Sequence, residues 1–243
     1  MVRRHAWVFL VTGLLLLLAP AAPTRAEGDH VAVARLRGIV NPPAASYIDR
    51  ALSEAERSGA TVFVLQLDTP GGLDSSMRQI VQRLLASTIP VVVYVSPPGA
   101  RAGSAGVYIT YAAHIAAMAP NTNIGSATPV AMGEGGEAQL SDEMRNKITN
   151  DAVAYLRGLA ARHGRNADWA EQAVREAVNI TEREALDRGV INYVAADLRD
   201  LLRQIDGATV TVAAPAGASA PTRPVTIRSA DLPVDIVEMQ PLE

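Results

Sequence analysis

Cysteine is absent from the 243-residue chain, which excludes disulfides, thiol nucleophiles and thiolate metal sites. Basic clusters are missing too, and the formal net charge of −3 argues against a nucleic-acid role. The four histidines lie far apart without metal-ligand spacing, so we expect no metal and no cofactor. The chain as a whole is 49% hydrophobic and 19% charged, a composition typical of one sizeable globular domain.

Lysine is almost absent as well. The chain has 22 cationic side chains, and Lys147 is the only lysine among them. Arginine stays protonated in proteins, whereas a buried lysine can lose its proton and act as a general base. Lys147 falls at the edge of the apolar stripe of a predicted helix, which suits an amine entering a partly desolvated cleft. Two other interpretations stay open: a solvated helix face, or an ion pair with Asp151 one turn later that holds the amine charged.

The N-terminus has the pattern of an export signal. Positive charge in MVRRH precedes the apolar run AWVFLVTGLLLLLA, and small residues follow up to Ala26. We expect cleavage after Ala26, with an uncleaved anchor as the alternative, and therefore an exported domain in the periplasm or on the extracytoplasmic face of the membrane. The predicted organisation is a signal peptide at 1–26, a domain at 27–206, and a linker and C-terminal tail at 207–243 that either leads to a membrane region or ends without one.

Between these ends, apolar strand patterns alternate with amphipathic helix patterns. This alternation predicts an α/β domain with a largely parallel sheet. Residues 130–140 are rich in glycine and predict a mobile surface loop, which we hypothesise to be a lid that substrate orders. A long helix follows, capped by Ser141 or Asp142 and ended by Gly164, with Met144 on its apolar face.

Residues 99–106 read GARAGSAG and place Ser104 among small residues where a buried strand gives way to a helix. One interpretation is a tight turn in which Ser104 caps the next helix. The other is a nucleophile at a strand-to-helix elbow, where small neighbours let a substrate backbone come close.

Four motifs in order resemble the NfeD family, membrane-bound serine proteases of the ClpP class, over residues 30–205. They are DTPGG (68–72), GARAGSAG (99–106), MAPNTNIGSATPV (118–130) and RNKITND (145–151). The segment ITEREALDRGVINYVA is also similar to the closing segment of the ClpP/crotonase superfamily. The resemblance is to the extracytoplasmic protease domain of the family, and it implies a ClpP/crotonase-like α/β fold of repeated ββα units.

The resemblance also implies a site. Ser104 matches the nucleophile of the family and Lys147 its general base, a Ser–Lys dyad. Gly71 and Gly72 match the glycine turn whose N–H helps form the oxyanion hole, and the Ala105 N–H would be the second donor. The implied activity is a serine endopeptidase that cleaves hydrophobic peptide segments, notably the C-terminal region of a stomatin-like membrane protein. A homodimer is implied too.

Other functions compete with this hypothesis. A Ser–His–Asp triad lacks a suitably placed histidine, because none lies between His114 and His163. An acyl-CoA enzyme of the crotonase type shares the fold, but export counts against it because coenzyme A is not expected outside the cytoplasm. A signal-peptide-peptidase-like protease and a non-catalytic scaffold for a stomatin-like partner remain alternatives. Arg101 could contact a substrate backbone or a second subunit.

Overall fold

The structure is a computed structural model that describes residues 29–130, 132–133, 136–137 and 140–238. The predicted signal peptide and much of the predicted lid lie outside these residues. Within them, no helix is long and apolar enough to cross a membrane. The described helices are α1 (Pro42–Arg57), α2 (Asp74–Leu85), α3 (Ala105–Ala112), α4 (Asp142–His163), α5 (Ala167–Arg175), α6 (Glu182–Asp187) and α7 (Leu198–Ile205).

The described strands follow in chain order. They are β1 (Val31–Arg37), β2 (Val62–Asp68), β3 (Val91–Val95), β4 (Arg101–Gly103), β5 (Ile115–Met118), β6 (Asn123–Gly125), β7 (Met132–Gly133), β8 (Gly136–Glu137), β9 (Asn179–Thr181), β10 (Tyr193–Val194), β11 (Thr209–Ala213), β12 (Thr222–Thr226) and β13 (Val234–Val237). Six of them form the main sheet, in the order β10-β5-β3-β2-β1-β13, and every neighbouring pair is parallel. The predicted α/β class with a largely parallel sheet is confirmed.

Both faces of this sheet are buried, which explains why its central strands are continuous apolar runs. Along β2, Phe63, Leu65 and Leu67 pack into a core that also contains buried residues of α1 to α5. The alternate residues Val62 and Val64 pack on the opposite face, in a core that includes buried residues of α7. The sheet is therefore the middle layer of the domain, with helices on either side.

Capping residues set the ends of α4 as predicted. The Ser141 hydroxyl accepts a hydrogen bond from the Met144 N–H (3.3 Å), and Gly164 ends the helix in the left-handed conformation at φ 65°. The predicted apolar face is wrong at Met144, whose residue surface is 46% exposed. Every residue from 141 to 147 is exposed, and the buried face of α4 begins only at Ala152.

Residues 207–238, expected to be a linker and tail, contain three strands. β11 and β12 pair as an antiparallel hairpin, and β13 joins the main sheet as an edge strand parallel to β1. These strands are short and half exposed, so their sequences lack the apolar runs that mark the central strands. Tyr47 of α1 links this edge strand to β1. Its hydroxyl donates to the Val237 carbonyl of β13 (2.6 Å) and accepts from the Arg35 N–H of β1 (3.0 Å).

Removing this hydroxyl should destabilise the domain. Tyr47→Phe leaves the Arg35 N–H and the Val237 carbonyl without their partner, so we expect the free energy of unfolding to fall by about 1–2 kcal/mol. Denaturant unfolding measures this change. Tyr193→Phe is the control, because we find no hydrogen bond to the Tyr193 hydroxyl in the described part of the chain. An equal loss in both variants would contradict the role of Tyr47.

Candidate active site

Ser104 stands at the junction of β4 and α3 in a conformation that non-glycine residues rarely adopt, with φ 50° and ψ −112°. Such a backbone costs about 1–3 kcal/mol and persists only where the surroundings enforce it. Two hydrogen bonds do so here: the Ser104 N–H donates to the Gly125 carbonyl (3.0 Å), and the Ser104 carbonyl accepts from the Val107 N–H (3.0 Å). The Ser104 side chain makes no capping hydrogen bond, so the interpretation of this serine as a helix cap is wrong.

Glycines allow the turn that contains Ser104 to pack directly on the DTPGG segment. A Cβ on Gly71 would lie 2.6 Å from Ser104 Cβ and 3.1 Å from Ser104 Oγ. A Cβ on Gly106 would lie 2.8 Å from Thr69 Cγ2. Two backbone hydrogen bonds of 2.8 and 3.0 Å join Thr69 to β4. Within GARAGSAG, Gly103 and Gly106 are therefore the small residues that this contact between two turns requires.

The predicted oxyanion donors differ in whether their N–H groups are engaged. The Gly71 N–H donates to Thr69 Oγ1 at 3.0 Å. For the Gly72 N–H we find no acceptor among the described residues. The same holds for the Ala105 N–H, which opens α3 and so has no acceptor within its own helix. Gly72 and Ala105 both line a cavity that contains Ser104, so they are the available donors of the three.

This cavity has a volume of about 100 Å³ and walls of mixed polarity. Besides Ser104 its lining residues are Gly72, Asp74, Met77, Arg78, Ala105, Tyr108, Ala127, Pro129, Val130 and Ala152. Burial raises the pKa of Tyr108, so its hydroxyl stays protonated at neutral pH and donates to the Ala127 carbonyl (3.3 Å). The Tyr108 ring stacks on Tyr155 of α4 with 6.0 Å between ring centroids.

Lys147 lines a second cavity of about 440 Å³ that adjoins the first. The lining residues common to both cavities are Asp74, Arg78, Pro129, Val130 and Ala152. Lys147 Nζ lies 2.7 Å from Glu143 Oε1, and the lysine side chain is 65% exposed. Of the interpretations of Lys147, the structure shows the solvated helix face and not the partly desolvated cleft, because Lys147 precedes the part of α4 that packs on the domain. No contact between Ser104 and Lys147 is found within the described residues.

Asp151 does not pair with Lys147 in this structure. Its Oδ2 lies 2.5 Å from Nη2 of Arg78, a residue of α2. Arg78 also binds Asp74, with 2.9 Å between Nε and Oδ2, and its Cζ lies 4.5 Å from the centroid of the Tyr155 ring. Arg78 therefore ties α2 to α4 beside both cavities.

His114 and His163 lie away from Ser104. His114 Nδ1 accepts a hydrogen bond from the Val91 N–H (3.1 Å), so this ring nitrogen is engaged within the fold. Burial lowers the pKa of His114 to about 4 and that of His163 to about 3, so both are neutral at neutral pH. Their rings meet edge to face at 5.6 Å between centroids, and neither residue lines the Ser104 cavity.

In the described part of the chain, no group of three His, Asp or Glu side chains could hold a metal ion.

Two residues of the site have no clear signal in the sequence. Thr69 shapes the glycine turn with a buried hydroxyl, and Arg78 bridges α2 and α4. The four-residue spacing of Asp74 and Arg78 signals an ion pair on α2, but nothing in the sequence connects Arg78 to Asp151. The Arg101 N–H donates to Asp68 Oδ1 (3.1 Å), while the Arg101 side chain is exposed and has no hydrogen-bond or ion-pair partner among the described residues. Most side chains of the predicted lid at 130–140 lie outside the described residues.

Comparisons with known proteins extend over most of this chain. The family NfeD1b, N-terminal domain, matches residues 30–208. The chain is 39% identical to the membrane-bound protease PH1510 of Pyrococcus horikoshii over 198 residues, which are 82% of this chain and 44% of that protein. It is 35% identical to the membrane protein NfeD1b of Bacillus subtilis over 157 residues, 65% of this chain and 34% of that protein. The chain thus spans less than half the length of either relative.

Solved structures agree with the sequence matches. The chain is similar to a serine-to-alanine mutant of the 1510-N membrane-bound stomatin-specific protease, with 35% identity, a TM-score of 0.76, and coverage of 86% of this chain and 98% of that one. A lysine-to-alanine mutant of 1510-N in complex with a substrate peptide matches with 36% identity, a TM-score of 0.77, and coverage of 86% and 92%.

A more distant structure supports the fold alone. It is ClpP1 from Listeria monocytogenes, with 16% identity, a TM-score of 0.55, and coverage of 68% of this chain and 91% of that one. The predicted ClpP-like fold is confirmed by these matches. Because the family match extends from residue 30 to residue 208, the chain belongs to the NfeD1b family, of which this part is the N-terminal domain.

Proposed function

We propose that this chain is a serine endopeptidase in which Ser104 is the nucleophile and Lys147 the general base. The observation that carries the proposal is the strained backbone of Ser104, which lies in one cavity with the unengaged N–H groups of Gly72 and Ala105. The cavity of the only lysine in the chain adjoins it. Strain of this kind clusters at active sites. The solved relatives support the pairing, since one is a serine mutant and another a lysine mutant bound to a substrate peptide.

The chemistry follows from these groups. Neutral Lys147 takes the proton of Ser104 while Oγ forms a bond to the peptide carbonyl carbon, and the negative charge collects on the carbonyl oxygen. The Gly72 and Ala105 N–H groups stabilise this oxyanion, aided by the positive end of α3. Lys147 then gives the proton to the leaving amine as the C–N bond breaks. A water molecule, activated by the same amine, hydrolyses the acyl-enzyme and restores Ser104.

Lys147 must leave Glu143 to perform this role. Both side chains are largely exposed, at 65% and 79%, and exposed ion pairs contribute only about 0–1 kcal/mol. Breaking the pair is therefore a small cost beside the barrier of peptide hydrolysis. Ser104 and Lys147 line two cavities that have five lining residues in common, so the amine that leaves Glu143 lies beside the cavity of the nucleophile.

Exposed apolar residues near the site suit a hydrophobic peptide substrate. Val130 lines the Ser104 cavity, Leu73 follows the glycine turn, and Ile39 precedes the residue that pairs with Gly72. Each of the three is between 51% and 63% exposed and is therefore accessible to an apolar segment of a substrate. We infer a substrate with apolar side chains, such as the C-terminal region of a stomatin-like membrane protein, cleaved on the extracytoplasmic face by a homodimer.

A fluorophosphonate probe tests this function, because it reacts with activated serine nucleophiles. We expect labelling of Ser104 in the unmodified chain and none in Ser104→Ala. Ser126→Ala is the matched control: Ser126 also has a left-handed backbone (φ 57°), but it does not line the cavity and should leave the labelling unchanged. Absence of labelling in well-folded protein would favour a non-catalytic scaffold, and cleavage of signal peptides in place of stomatin peptides would favour a signal-peptide-peptidase-like protease.

A further inference from the structure

Arg78 lies between the proposed nucleophile and the proposed base. It lines both the Ser104 cavity and the Lys147 cavity. Its guanidinium holds Asp74 on α2 at 2.9 Å and Asp151 on α4 at 2.5 Å, and it packs on the Tyr155 ring. The proposed steps of peptide hydrolysis assign this residue no role.

An ion pair with the Asp151 carboxylate would prevent Lys147 from acting as a general base. Asp151 follows Lys147 by four residues, so the two side chains lie on the same face of α4. Asp151 also lines the Lys147 cavity, whereas Glu143 does not. When the amine turns from Glu143 into that cavity, Asp151 becomes the carboxylate beside it. An ion pair there would hold the amine protonated, and a protonated amine accepts no proton from a serine.

The charged groups that face the amine come from two helices. Glu143 and Asp151 belong to α4, and Asp74 and Arg78 belong to α2. The remaining described residues around this cavity, among them Pro129 and Val130, carry no charge. Arg78 is therefore the one cation of this described set besides Lys147 itself, and it is bound to both aspartates.

We propose that Arg78 is a positioning residue that keeps the Asp151 carboxylate away from the Lys147 amine. The proposal deepens the proposed function and rests on it for the role of Lys147. Arginine suits this role because its planar guanidinium group binds two carboxylates at once and stays protonated. The positive charge of Arg78 also disfavours a second positive charge in the same cavity, so both effects promote the neutral amine.

The test uses the fact that the chain has a single lysine. The rate of Lys147 acylation by acetic anhydride at fixed pH, followed by peptide mass spectrometry, reports the fraction of neutral amine and needs no peptidase activity. The proteins compared are the unmodified chain, Arg78→Met, Asp151→Asn and the double variant. Arg83→Met is the matched control, because Arg83 is another α2 arginine that binds two carboxylates, Asp49 and Glu56, on a different helix.

We expect Arg78→Met to slow acylation of Lys147 about two- to five-fold, the size of an exposed ion pair. Adding Asp151→Asn should return the rate to within two-fold of the unmodified chain. Asp151→Asn alone and Arg83→Met should change it little. Peptide cleavage should follow the same pattern in kcat, with rescue in the double variant.

A purely structural tie between α2 and α4 predicts the opposite, because the double variant then lacks both partners and stays as slow as Arg78→Met. That result, or an unchanged rate in Arg78→Met, would overturn the proposal. Arg78→Gln is a second variant should Arg78→Met fail to fold. If acylation follows the expected pattern while no Ser104-dependent cleavage occurs, the proposed function fails and the electrostatic role of Arg78 stands.

Discussion

Lys147→Arg should lower kcat/KM for peptide cleavage by about 10⁴-fold, the loss seen when one member of a catalytic unit is disabled. Arginine keeps the positive charge, the long aliphatic stem and the ability to bind Glu143. It cannot give up its proton, so it cannot accept one from Ser104. The variant therefore separates the chemistry of the amine from its charge. Steady-state cleavage of an apolar peptide, measured beside Ser104→Ala, gives the comparison.

Folding is the control for this result. Lys147 is exposed, and its one ion pair among the described residues is with Glu143, a pair that arginine can also form. We therefore expect the midpoint of thermal unfolding to stay within about 2 °C, since surface substitutions usually change stability by less than about 0.5 kcal/mol. Activity of the arginine variant within ten-fold of the unmodified chain would mean that Lys147 is not the base.

Gly71→Ala should lower kcat/KM about 10²–10³-fold, the typical effect of disturbing one oxyanion donor. The new Cβ would lie 2.6 Å from Ser104 Cβ and 3.1 Å from Ser104 Oγ, far inside van der Waals contact. Either the nucleophile or the glycine turn must then move, and the Gly72 N–H moves with the turn. Kinetics with the same peptide, together with the rate of fluorophosphonate labelling, measure the effect.

Gly38→Ala is the matched control for Gly71→Ala. Both glycines have a similar left-handed backbone, with φ +113° at Gly38 and +122° at Gly71, so alanine is strained at either position. No atom lies within 4 Å of a Cβ on Gly38, so only the strain is shared. Each variant should lose about 1–3 kcal/mol of stability, but only Gly71→Ala should lose activity in the folded state. Equal losses of activity would show that strain, and not the contact with Ser104, is responsible.

The structure shows how backbone geometry builds most of this site. Ser104 is held by its own N–H and carbonyl, and the available donors are the backbone N–H groups of Gly72 and Ala105. Thr69 sets the glycine turn through its buried hydroxyl, which accepts from the Gly71 N–H at 3.0 Å. The one proposed catalytic side chain that remains adjustable is Lys147, which is 65% exposed on α4. In the proposed catalytic unit, the nucleophile and the oxyanion donors are therefore fixed by the backbone, whereas the general base is a side chain that can change its conformation.

Local chemistry along the chain is sufficient to predict much of the molecule. Buried parallel strands are continuous apolar runs, and helix ends carry capping residues such as Ser141 and Gly164, so the elements and the parallel sheet follow from neighbours in sequence. The absence of cysteine and the lone lysine restrict the possible chemistry through composition alone. The motif around Ser104 is compatible with a nucleophile, but a tight turn with a helix cap competes with it as long as only the sequence is considered.

Only the tertiary structure could decide the rest, because it depends on residues distant in sequence. The positive φ of Ser104 is enforced by the hydrogen bond from its N–H to the Gly125 carbonyl. The hydrogen bond from the Gly71 N–H to Thr69 Oγ1 depends on the backbone hydrogen bonds that fix Thr69 against β4. The exposure of Lys147 and the capture of Asp151 by Arg78, 73 residues earlier, depend on how α4 packs against α2. β13 likewise forms a strand because it pairs in parallel with β1, about 200 residues earlier in the chain. A sequence specifies which groups are present, whereas their charge state and partners are set by the packing that brings them together.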